Sequence, residues 1–139
     1  MEKLSESFLD MGIQNLRNHG SVAPVAFIFY QTEMIIHMMD FSNKDLALEI
    51  LRKICRELNA DKIIIIAEAF FSSDLSGVSP SMAPDREECI IVQGEDVNGD
   101  SCTICQPFYR DEKGMIKLKD KIKQLNVSSS GRIANILRR

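Results

Sequence analysis

Leu4, Phe8, Met11 and Leu16 recur at helical spacing, which predicts an amphipathic helix over residues 3–18 that stops at Gly20. The pattern then changes period. "APVAFIFY" and "EMIIHMMDF" are short apolar runs rich in strand formers, parted by Gln31 and Thr32, and so tight a turn makes them antiparallel neighbours. A second helix is predicted from a cap at Ser42 or Asn43, with Leu46, Ala47, Ile50, Leu51, Ile54, Cys55 and Leu58 as its apolar stripe. "KIIIIAEAFF", Lys62 to Phe71, is apolar on both faces apart from Glu68, the mark of a central strand covered on both sides.

A long serine- and proline-rich connection, Ser72 to Glu87, follows; connections of that length are usually functional or mobile. "CIIVQGED" and "SCTICQPFYR" then flank Asn98-Gly99, a strong hairpin signal. "DEKG" reads as a further turn. "MIKLKDKIKQL" fits either a strand or a helix, and "SSSGRIANILRR" reads as a short terminal helix. The order α-β-β-α-β-β-β-α predicts one α+β domain, an antiparallel sheet of about five strands with helices packed on it. That order resembles the small roadblock and longin-like modules, and the resemblance implies a dimerising scaffold.

Composition adds little to this picture, whereas charge adds more. The chain has 139 residues, 45% apolar and 27% charged, as one soluble globular domain requires. No apolar run approaches the length of a membrane span and the start lacks a signal-peptide pattern, so a cytoplasmic location without membrane contact is expected. Cys55, Cys89, Cys102 and Cys105 are then expected to be reduced and packed. The net charge of −3 conceals an asymmetry: residues 113–139 hold eight basic residues against Asp120, so residues 1–112 carry −10. The chain therefore divides into an acidic core, 1–112, and a basic, partly helical segment, 113–139. Lys113 to Arg139 suits an anionic partner, nucleic acid included, or docking on the acidic body.

The densest chemistry lies around "AEAFF" and "PDREECIIV". Alternation puts Ile64, Ile66, Glu68 and Phe70 on one strand face, and antiparallel pairing brings Arg86 or Glu88 near Glu68. A half-buried carboxylate requires a partner, and the arginine fork matches it, so Glu68, Asp85, Arg86 and Glu88 are expected to form a structural clamp or binding cluster. The alternative gathers Glu68, Asp85 and Glu88 around Mg²⁺ or Mn²⁺, as a hydrolase or nuclease acting on phosphate esters would. Pro84-Asp85 followed by Asp111-Glu112-Lys113 also fits a permissive nuclease pattern, but "DEKG" is a turn and that chemistry needs a rigid strand.

These same residues carry a second resemblance. A strand ending in Glu68-Ala69-Phe70, then Pro84-Asp85-Arg86 and Glu88, resembles a pattern in small prokaryotic and phage proteins, where Trp usually stands at the Phe70 position. The match spans Lys62 to Arg110. It implies a strand pair and no mechanism, since that family has no assigned activity.

Other motifs give bland readings. Cys102-x-x-Cys105 lies in a strand, where residues three apart point to opposite faces and cannot share a metal. His37 sits among apolar neighbours as a half-buried histidine without a nucleophile motif, and "GEDVNGD" does not follow the Ca²⁺-loop spacing. No catalytic residue, cofactor or metal is expected. The sequence reads as a non-catalytic accessory or binding protein, with a homodimer as one expected assembly.

Overall fold

The computed structural model describes residues 1–71, 87–126 and 136–137. Helix α1 spans Glu2–His19 and ends at Gly20, whose φ of 79° is the left-handed cap that glycine adopts freely. Strands β1 (Val25–Tyr30) and β2 (Glu33–Met38) form the expected hairpin. Asn43 caps α2 (Lys44–Leu58), its Oδ1 accepting the Leu46 N–H at 3.2 Å. Then come β3 (Lys62–Phe71), β4 (Glu87–Asp96) and β5 (Ser101–Arg110). Two short strands, β6 (Ile116–Leu118) and β7 (Ile122–Leu125), complete the sheet.

The sheet runs β2-β1-β3-β4-β5-β6, with β7 also paired to β5, and every pairing is antiparallel. The fold is α+β as expected, but with seven strands where five are predicted. The two extra strands come from the basic segment, whose alternation "IKLKDKIKQL" is taken up by β5 where the sequence leaves helix and strand open. The predicted terminal helix lies mostly outside the described residues. Because β2 and β3 both flank β1 antiparallel to it, they run parallel to each other, and α2 makes the crossover between them.

The four isoleucines of β3 account for the layers. Ile63 and Ile65 join Ala26, Ile28 and the α2 residues Ala47, Leu48, Leu51 and Cys55 in one cluster. Ile64 and Ile66 face the other way, joining Leu9 and Leu16 of α1 with Ile90, Val92 and Ile104. The two helices therefore cover opposite faces of the sheet, and burying each isoleucine contributes about 1.5–3 kcal/mol. Both helices turn a slightly different face inward than their apolar spacing predicts. α1 buries Ser5, Leu9, Gly12 and Leu16 and leaves Met11 exposed. α2 buries Leu48 and leaves Leu46 and Ile50 in solvent.

Candidate functional site

The Glu68 cluster is organised around the chain that leaves α1. Glu68, Phe70 and Glu88 share the α1 face, since Glu68 stands opposite Ile90 and Phe70 opposite Glu88. Glu68 Oε1 accepts the Val22 backbone N–H at 2.5 Å. Arg110, at the end of β5, bridges two groups: Nη1 donates to Glu88 Oε2 and Nη2 donates to the Gly20 carbonyl at 2.9 Å. The Arg110 guanidinium also lies over the Phe108 ring, 5.3 Å from its centroid. Both groups therefore grip residues 20–22, where the chain passes from α1 to β1. Asp85 and Arg86 lie outside the described residues; among the described residues the arginine at this cluster is Arg110.

The remaining sequence candidates resolve into local structure. Asp111 Oδ1 accepts the N–H groups of Lys113 and Met115, each at 2.9 Å, which makes "DEKG" a side-chain-closed turn. Asp96 Oδ1 does the same for Asn98 and Asp100 at 2.9 and 3.0 Å. Cys102 belongs to the cluster under α1, and Cys105, three residues on, points to the opposite face. There it neighbours Cys89; the contact lowers the Cys105 thiol and raises that of Cys89, which burial raises further. Among the described residues, no three His, Cys, Asp or Glu side chains converge as a metal site requires. No helix among them is long and apolar enough to cross a membrane.

Among the described residues of the basic segment, three lysines are engaged with the acidic body. Lys119 Nζ meets Glu87 Oε1 at 2.7 Å and Lys121 Nζ meets Glu6 Oε2 at 2.7 Å. Lys123 reaches both Glu2, at 2.8 Å, and Glu6, at 2.6 Å. These contacts lower the Glu6 pKa, chiefly through hydrogen bonds from Lys121 and Lys123. Further on, the Ile136 and Leu137 N–H groups both donate to Glu95 Oε1, at 2.5 and 3.1 Å, and their side chains are buried in the cluster under α2. Glu95 itself is only 7% exposed. Burial, with the Glu95 charge second, pushes the nearby Cys55 thiol up to about 11.

The two edges of the sheet differ sharply. On one side the outermost strand is broken into β6 and β7, and a lysine stands at every second position from Lys117 to Lys123. Short, lysine-rich edges resist pairing with other chains. On the other side β2 is six residues long, with Glu33 as its only formally charged residue at neutral pH. Its α1-face side chains are Met34, Ile36 and Met38, exposed by 44%, 60% and 60%. Apolar spacing leaves Met34 and Met38 open as core or as a soft interface surface; they and Ile36 face solvent because α1 lies over β3, β4 and β5. Sequence reasoning also misses Arg110 and Glu95, both of which take their roles from strand register.

Comparison of the chain with family models, curated proteins and solved structures finds no match.

Proposed function

We propose that this protein is a non-catalytic accessory protein that works by binding, and that its working surface is the open edge of β2. The contrast between the two sheet edges carries this reading. Among the described residues β2 ends the sheet, so its outer backbone N–H and C=O groups are offered to an added strand, which gains affinity from that ladder and selectivity from alternate side chains. Met34, Ile36 and Met38 supply an apolar row for such a strand. Single exposed apolar residues are ordinary on protein surfaces, whereas a contiguous row along an unpaired edge marks an interaction site.

A phosphate-ester hydrolase built on Glu68, Asp85 and Glu88 has less support. Glu68 and Glu88 already hold the Val22 amide and Arg110, and a cation would have to displace both. The reading of residues 113–139 as a site for an anionic partner is likewise weakened, because Lys119, Lys121 and Lys123 are neutralised from within.

The test is a fluorescein-labelled peptide carrying residues 33–38 between lysine flanks, titrated with the full chain and followed by anisotropy. Saturable binding that disappears in Ile36→Lys is the expected result. A peptide that does not bind the native chain at concentrations where that chain is monomeric would refute the edge reading.

A further inference from the structure

We infer that the occupant of the β2 edge is a second copy of this chain, paired antiparallel about Ile36 so that one sheet runs through both molecules. The inference rests on the reading of β2 as a binding edge and adds the partner's identity.

The α1-face side chains of β2, Met34, Ile36 and Met38, are symmetric about Ile36. A two-fold axis normal to the sheet at that residue sets Met34 against Met38 of the second copy and Ile36 against its own equivalent. Because directly opposed residues then differ by an even number, the α1 faces of both copies stay on the same side. On the other face Ile35 meets His37 of the second copy. The charged residue of the strand, Glu33, falls opposite Met39, so no like charges are opposed, which would destabilise a strand pair. An unrelated strand would have to match this alternation by chance of sequence, whereas a second copy supplies it by symmetry.

The row of apolar side chains also has a prepared backing. Met34, Ile36 and Met38 lie directly opposite Phe29, Phe27 and Val25 of β1. Phe8 of α1 holds the first two in place, with ring centroids 4.5 Å from Phe27 and 6.3 Å from Phe29. The seam is thus backed by rings fixed in the core and pays little further ordering entropy when covered.

The guarded far edge completes the argument. A β2 edge that paired with the β6–β7 edge of another copy would propagate into a filament, and the breaking of that edge into strands of three and four residues opposes the contact. Pairing of β2 with β2 uses the same patch on both molecules and closes after two.

Sedimentation velocity of the full chain from about 1 to about 100 µM, a range in which micromolar association is visible, tests the proposal. The expected species has twice the 15.7 kDa chain mass. Ile36→Lys, which opposes two lysines at the axis, should weaken association at least about a hundredfold while leaving the circular dichroism spectrum unchanged. Ile36→Cys should yield an oxidised 36–36 cross-link by peptide mass mapping. A native chain that stays at 15.7 kDa, or a dimer that survives Ile36→Lys, would overturn the proposal. If the monomeric chain still binds the lysine-flanked peptide, only the partner is wrong and the edge reading stands; if it binds neither, both readings fall.

Discussion

Replacing Gly94 by alanine forces a methyl group into the contact between α1 and the sheet. A Cβ built there stands 2.6 Å from Ser5 Oγ, nearer than carbon and oxygen approach in real structures. Ser5 is fully buried, and its hydroxyl has no conventional hydrogen-bond partner, only the Cys102 thiol beside it. Overpacking of this kind costs about 1–3 kcal/mol. Part is offset because alanine restricts the unfolded chain, a gain of about 0.4–1 kcal/mol where the backbone suits it. Gly94→Ala should therefore lose about 0.5–2 kcal/mol net. Ser5→Ala removes the clashing atom, an underused buried hydroxyl, and improves helix propensity, so alone it should be neutral or slightly stabilising. In the double variant the nearest remaining atoms are the flexible Met1 Cε at 3.3 Å and Ile64 Cγ1 at 3.6 Å, which the fold accommodates. The pair should be at least as stable as the native chain, with a coupling of about 1 kcal/mol or more. Urea unfolding followed by circular dichroism, with equal m-values across the four proteins, gives each corner of the cycle. A Gly94→Ala protein as stable as the native chain, or a double variant equal to the sum of the singles, would refute this account of the helix–sheet contact.

Three further outcomes follow from the polar contacts. Glu68→Ala strands the Val22 N–H and should cost about 1–3 kcal/mol in urea unfolding, whereas Glu68→Gln keeps an acceptor and should lose less; equal losses would mean that the hydrogen bond is not the operative contact. Glu95→Ala should release residues 136–137, seen as fast hydrogen exchange of the Ile136 and Leu137 amides, and unchanged protection would contradict the role given to Glu95. The lowered pKa of Glu6 means that the unfolded state takes up its proton first, so its contribution is present above the ordinary value of 4.5 and fades as pH falls through the lower folded value. Glu6→Gln should flatten the acid limb of the stability curve below about pH 4.5, and 1 M salt should reduce the difference; an unaltered limb would count against the lysine contacts.

Much of the fold is written in local patterns. β3 is legible because "KIIIIAEAFF" is apolar at consecutive positions, which a strand with one wet face does not need, and the structure covers both faces. The β1–β2 hairpin and the Asn43 cap are legible from short-range chemistry. Helix faces are less so: Met11, Leu46 and Ile50 extend the apolar stripes, yet burial goes to Ser5, Gly12 and Leu48, because close approach to a sheet favours small residues and exact rotation depends on what lies beneath. The site was readable only in part. Glu68 announces itself as a carboxylate in an apolar strand, but its partner is a backbone amide 46 residues earlier, and nothing in the spacing encodes that. Arg110 meets Glu88 through the β4–β5 register, and the exposed face of β2 follows from its place at the end of the sheet and from where α1 lies; both are properties of the assembled sheet.

The contact between Glu95 and the amides of Ile136 and Leu137 bears on the timing of folding. Among the described residues, everything that α1 covers is encoded by residue 125, so that half of the molecule can consolidate while synthesis continues. The layer under α2 lacks Ile136 and Leu137 until a stretch 41 residues beyond Glu95 has emerged. Until then the two amides that donate to Glu95 are absent from that face. The α2 side is therefore the later of the two faces to be completed as the chain is made, and the later to gain its protection from aggregation.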